Sequence, residues 1–238
     1  MKFKKIVGFG DSWVWGDELI DPQLRHRDDA HPVLIENVEY REANCFLGLL
    51  GQHYGVPVEN FGIPGGSLQS AIWTYLWWLE NEKLNIEDCL VVIGHTSADR
   101  VSFYNPNHIS YENDPVWNRY VHGAWINSGA TGIRQDWVEM FKSYTVLTTS
   151  HLLSKLNYKQ TVRFFEGQWA LNSNLLQVCT LPPPAVVLAK NLPEPTSCLA
   201  NLVNSDPKYL AAKMHPNELG HEVIRDYLIN QIESVILA

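Results

Sequence analysis

Four short stretches of the chain carry residue types that together could move an acyl group. Ser12 follows Gly10-Asp11 at the end of an apolar run that includes Phe3, Ile6, Val7 and Phe9. Gly65 lies in the turn Gly62-Ile63-Pro64-Gly65-Gly66-Ser67, Thr96 closes the run Val92-Ile93-Gly94-His95-Thr96, and His215 precedes Pro216-Asn217. Acyl transfer needs a nucleophile, a base to take its proton, and donors aimed at the oxyanion that develops. Ser12 offers the nucleophile and His215 the base. The backbone N–H groups of Ser12 and Gly65, with the Thr96 hydroxyl, offer the donors. Glycine suits position 65 because backbone without a Cβ can approach a substrate closely. The blander alternatives are that Ser12 caps a short helix and that His215 is a surface loop histidine.

The elements around these residues decide whether they can meet. The apolar run before Gly10 reads as a first strand, which presents Ser12 at its carboxyl end. Ligands in open α/β sheets bind just outside that edge. Residues 15–42 are polar, without clear periodicity, and read as a long loop beside it. A helical stripe (Phe46, Leu49, Leu50, Tyr54) ends at Gly55, a C-terminal stop signal. A strand is expected at 56–61, then the glycine-rich turn, then a helix over 67–83 with Ser67 as N-cap. The run Cys89-Leu90-Val91-Val92-Ile93-Gly94 is continuously apolar, as a parallel strand buried on both faces should be. Residues 97–134 read as loop, 136–158 as helix and 161–165 as a fourth strand. The stretch 168–206 is broken repeatedly by proline, with 186–188 as a possible short strand. A last helix is expected over 216–237, with Leu219, Val223, Ile224, Tyr227, Leu228, Ile232 and Val235 as its apolar positions. Strands alternating with helices predict a single domain over 1–238, a three-layer α/β/α sandwich around a mostly parallel sheet.

The four stretches, in this order, resemble the blocks of the SGNH (GDSL-like) hydrolases, a family of esterases and lipases. Gly10-Asp11-Ser12 resembles the first block, Asn60-Phe61-Gly62-Ile63-Pro64-Gly65 the second, Val92-Ile93-Gly94-His95-Thr96 the third, and His215-Pro216-Asn217 the last. The resemblance implies a flavodoxin-like fold, Ser12 as nucleophile, His215 as base, and Ser12, Gly65 and position 96 as the oxyanion hole. It implies a metal-independent reaction without cofactor on a carboxylic ester. Two positions depart from the family pattern. Thr96 stands where the family has asparagine, so an amide donor becomes a hydroxyl that can donate one bond. Ala212 stands where the family has the aspartate that orients the histidine. Asp206, a backbone carbonyl, or no group at all could take over that role.

Composition narrows the function classes. A formal charge of −8 and a pI near 5.5, without a basic run, argue against nucleic acid. Cys45, Cys89, Cys179 and Cys198 lack metal-ligand spacing and read as buried thiols. Around His215 and His221 the His-Glu-x-x-His zinc spacing is absent, since Arg225 stands where the second histidine would be. His221 is expected to cap or pack on the last helix, and Asp11 to hold the turn around Ser12. Without a signal peptide pattern or a membrane-spanning run, a cytoplasmic protein without membrane partners is expected. Of the nine tryptophans, Trp73, Trp77 and Trp78 lie in an expected helix, with at least Trp73 and Trp77 on one face, and core packing is expected of them. Trp13, Trp15, Trp117 and Trp125 are candidates for a substrate-facing wall, with burial in the core, tryptophan's usual place, as the alternative. Trp13, Trp15 and His95 are the candidates for substrate binding, and the aromatic loops together with the family resemblance suggest a small acyl ester of a carbohydrate, such as an acetate. The rivals are a glycan- or ester-binding protein of the same fold that has lost catalysis, and a nucleotide-binding α/β domain. The glycine-rich turns match neither dinucleotide nor Walker spacing.

Overall fold

A computed structural model describes residues 3–81, 86–96, 100–104, 120–125, 161, 164, 174–180, 198–212 and 214–235. Its elements are β1 (Lys5–Gly10), α1 (Ser12–Trp15), α2 (Val38–Asn44), α3 (Phe46–Tyr54), β2 (Val58–Gly62), α4 (Leu68–Asn81), β3 (Cys89–His95), β4 (Arg100–Tyr104), β5 (Tyr120–Trp125), β6 (Leu175–Cys179), α5 (Leu199–Val203) and α6 (Glu218–Val235). Four strands form a parallel sheet in the order β2-β1-β3-β6, and β4 and β5 pair as a separate antiparallel ribbon.

Alternation along the central strands divides the core in two. Ile6, Leu90, Val92, Leu176 and Val178 face one way, where Phe46, Leu47 and Leu50 of α3, Leu199 and Val203 of α5, and Ile224, Leu228 and Ile232 of α6 cover them. Val7, Phe9, Val91, Ile93 and Leu175 face the other way, onto Tyr75 and Trp78 of α4. Both faces being covered is why β3 reads as an unbroken apolar run. The chain is therefore α/β, with helices on both sides of a parallel sheet.

Several helix expectations hold in detail. Ser67 Oγ accepts from Ser70 N–H (3.2 Å), the N-cap bond expected of it, and Gly55 ends α3 at φ +66°. The four cysteines are buried free thiols.

Other expectations are corrected. Thr161 and Phe164, the described residues of the expected strand 161–165, are helical, and the fourth strand is β6, inside the stretch that proline made ambiguous. The buried stripe of α4 is Ala71, Thr74, Tyr75 and Trp78, so of the three tryptophans expected in the core Trp78 is buried, Trp77 is half-buried against the same cluster and Trp73 is half-buried. Leu219 is exposed, because the inward stripe of α6 runs through His221, Ile224, Leu228 and Ile232. Part of the expected loop 15–42 is helical, from a 3-10 turn at Ile35–Asn37 into α2. The expected helix 136–158 and strand 186–188 lie outside the described residues. Among the described residues no helix is long and apolar enough to cross a membrane.

Candidate active site

The site forms where β1 and β3 end. Asp11 is the N-cap of α1, its Oδ1 accepting from Trp13 N–H at 3.0 Å, so Ser12 is the first helical residue and not the cap. Helix α1 then lies across the strand ends. A Cβ on Gly94 would come within 2.4 Å of Val14 Cγ2, and one on Gly10 within 2.5 Å, so both strand ends must be glycine for α1 to settle there. Asn60 holds the helix from the β2 side. Its Nδ2 donates to Val14 O at 2.9 Å, while its Oδ1 accepts from Gly62 N–H at 2.9 Å. The second sequence block thus helps fix the residue that the first one carries.

His215 arrives from the other end of the chain. Its loop is pinned by Asn217, whose Nδ2 donates to Lys208 O (2.7 Å) and whose Oδ1 accepts from Gly220 N–H (3.0 Å) at the start of α6. The loop also closes on itself, with Ala211 N–H donating to His215 O at 2.8 Å. His215 Nε2 lies 2.9 Å from Ser12 Oγ, although the two residues are 203 positions apart. Its Nδ1 lies 3.1 Å from Glu18 Oε2, and its backbone N–H donates to the same oxygen at 3.2 Å. A carboxylate only accepts, so the ring contact puts a proton on Nδ1 and leaves the Nε2 lone pair facing the Ser12 hydroxyl. Asp17 Oδ2 stands 3.7 Å from Nε2, beyond a hydrogen bond but close enough to add negative charge.

A buried polar group lies next to Ser12. Asp11 has no exposed surface; its Oδ2 accepts from Thr180 Oγ1 at 3.0 Å and faces Arg100 Nη1 at 3.6 Å. The same Nη1 donates to Thr96 Oγ1 at 3.2 Å. With a lone pair held by the guanidinium, the Thr96 hydroxyl proton is free to point elsewhere. Burial lowers the pKa of Arg100 and the Asp11 charge opposes that shift, so this is a paired buried charge. Gly65 adopts φ +70°, a conformation that glycine takes without strain. Among the described residues, no hydrogen bond engages the backbone N–H of Ser12 or of Gly65.

Not every expected residue joins this group. Trp13 and Trp15 are each 4% exposed, Trp13 within the core under β1 and Trp15 beneath the Arg41 guanidinium 3.7 Å from its ring centre. Neither offers a face to a ligand. His95 is buried and its Nε2 donates to Gln177 Oε1 at 2.8 Å across β3 and β6; burial pulls its pKa down to about 4. Asp206 points away, capping the 3-10 turn Pro207–Tyr209 and pairing with Lys208 at 3.0 Å. Trp117 and the side chain of Trp125 lie outside the described residues. The residue that sequence reasoning missed is Glu18. Its only signal was an acidic pair, Asp17-Glu18, shortly after the serine.

No family model matches the chain, and no curated protein matches it in sequence. Solved structures do resemble it. A member of the lipolytic protein G-D-S-L family from Veillonella parvula is 12% identical over 95% of this chain and 96% of that one, at a TM-score of 0.40. A family two carbohydrate esterase from Clostridium thermocellum, solved with cellohexaose, is 12% identical with a TM-score of 0.48. It is covered over 64% of its own length, by 97% of this chain. Another solved structure reaches a TM-score of 0.51 at 12% identity, over 98% of this chain and 99% of that one. That last likeness is one of fold, along the whole chain.

Proposed function

We propose that the chain is a serine hydrolase of the SGNH type that cleaves a carboxylic ester through an acyl-enzyme. The observation that carries this reading is the 2.9 Å contact between Ser12 Oγ and Nε2 of His215 at the carboxyl edge of the sheet. It is the hydroxyl–imidazole pair that activates a serine. As Ser12 Oγ bonds to the ester carbon, its proton passes to His215 Nε2. The carbonyl oxygen becomes an oxyanion facing the N–H groups of Ser12 and Gly65 and the Thr96 hydroxyl. Collapse breaks the ester C–O bond, and the proton on Nε2 leaves with the alcohol. Water then attacks the acyl-enzyme and gives a proton to Nε2, and Ser12 recovers it as the acid departs.

Arg100 supports the substitution at position 96. It occupies a lone pair of the Thr96 hydroxyl and so favours donation toward the oxyanion. Removing one oxyanion donor costs about 10²–10³ in kcat, so Thr96→Ala is expected to lose activity by that factor with the fold intact. An O-acetyl sugar remains the first substrate to assay, although Trp13 and Trp15 are packing residues and no longer argue for it. The reading is tested by hydrolysis of p-nitrophenyl acetate by the parent protein, Ser12→Ala and His215→Ala. Activity that survives Ser12→Ala contradicts it.

A further inference from the structure

The aspartate that Ala212 replaces leaves open what holds the imidazole. We propose that Glu18 is the positioning residue for His215, supplied by the turn that follows the nucleophile instead of by the approach to the histidine. The proposal rests on the hydrolase reading above and deepens it.

The geometry is specific to this contact. One oxygen, Glu18 Oε2, accepts from the His215 ring at Nδ1 (3.1 Å) and from the His215 backbone N–H (3.2 Å). The second bond fixes the main chain as well as the ring, so the ring can neither flip nor slide without breaking one of them. Among the described residues, only Glu18 (φ +67°) and Met214 (φ +70°) have positive φ without being glycine. One is the proposed acid and the other directly precedes the histidine. Such conformations persist where surrounding structure imposes them, and they cluster at functional sites.

The turn carrying Glu18 is held from several sides. Gly16 ends α1 at φ +87°, which reverses the chain toward His215. Leu19 is fully buried and its carbonyl accepts from Asn37 Nδ2 at 2.8 Å. Arg25 and Tyr40 both bond to Glu218, three residues beyond His215, which ties the far side of the same loop to the start of α6. The loop therefore brings the acid to the histidine as part of a closed frame. A carboxylate that accepts from Nδ1–H selects the tautomer whose Nε2 can take the serine proton, and it stabilises the imidazolium that forms.

Two measurements on the full chain test this. In ¹⁵N-histidine spectra the parent should show His215 in the Nδ1–H tautomer, assigned by its loss in His215→Gln. Its Nδ1 proton should resonate at low field, persist in Ser12→Ala and disappear in Glu18→Gln. In turnover of p-nitrophenyl acetate, Glu18→Gln should lower kcat by about 10²–10⁴ with little change in KM, and Glu18→Asp should recover part of the loss. An Nε2–H tautomer in the parent overturns the proposal, as does a folded Glu18→Gln whose kcat falls less than tenfold. A parent that neither turns over ester nor is labelled at Ser12 by a fluorophosphonate counts against the hydrolase reading. The tautomer would then still decide whether Glu18 holds the ring.

Discussion

Two histidines six positions apart mark the two sides of the start of α6, and their surroundings could hardly differ more. His215 sits at the mouth of the site, part-exposed, with a hydroxyl on one ring nitrogen and a carboxylate on the other. His221 is fully buried. Its Nδ1 accepts from Phe46 N–H at 3.2 Å, so it caps α3, whose N-cap residue Cys45 makes no side-chain cap bond. Its ring stacks on Phe46 with centroids 5.9 Å apart, and burial, aided by the nearby His215, pulls its pKa down to about 3. A ring held neutral with Nδ1 already engaged cannot shuttle a proton at neutral pH. Partners and burial, not residue type, divide the work between these two.

That contrast can be broken or sharpened by experiment. The largest effect is expected at His215. His215→Ala should lower kcat/KM at least about 10⁴-fold, since losing the base alone removes most of the rate enhancement in serine hydrolases. Its melting temperature should stay within a few degrees of the parent. His221→Ala should do the reverse, by opening a cavity and leaving the Phe46 N–H without its acceptor. A loss of about 2–4 kcal/mol is expected in denaturant titration, while the folded fraction keeps turnover within about threefold. An equal loss of turnover in both variants would erase the distinction.

Acid should reveal the buried rings next. His221 (about 3) and His95 (about 4) have folded pKa values below the ordinary value of 6.5. The unfolded chain therefore binds protons first as pH falls. The stability these neutral rings permit is complete above pH 6.5 and is lost as pH drops toward 4 and then 3. Each contributes a slope of up to about 1.4 kcal/mol per pH unit in that window. Urea titrations at pH 7, 6 and 5 should show the fall, and His221→Gln should flatten it. The smallest effect belongs to Asp206. Asp206→Asn should leave turnover within about twofold of the parent, because its carboxylate serves a solvent-facing turn; a large loss would return it to the site.

The physics of each element explains which parts of this arrangement could be read beforehand. β1 and β3 were legible because burial on both faces writes them as apolar runs ending in glycine. Ser12, Gly65, Thr96 and His215 were legible because each sits at a strand end or a helix start, where local pattern marks the boundary. β6 was not, because Gln177 interrupts its apolar run; its Oε1 pairs with His95 on the neighbouring strand, a contact no local pattern marks. Thr161 and Phe164 show the opposite error, strand-like residue types at helical positions. Glu18 lies 197 positions from its partner, and no local spacing encodes such a contact. The search for an acid beside the histidine led instead to Asp206, whose local cap bond is the use its own neighbourhood dictates.

The central claim is that His215 activates Ser12, and the most direct measurement is covalent labelling followed by mass. The intact protein, incubated with a fluorophosphonate, should gain one adduct, and peptide mapping should place it on Ser12. The labelling rate should collapse in His215→Ala, and no adduct should form in Ser12→Ala. A folded parent that takes no label, or a Ser12→Ala variant that takes it as fast as the parent, would contradict the account.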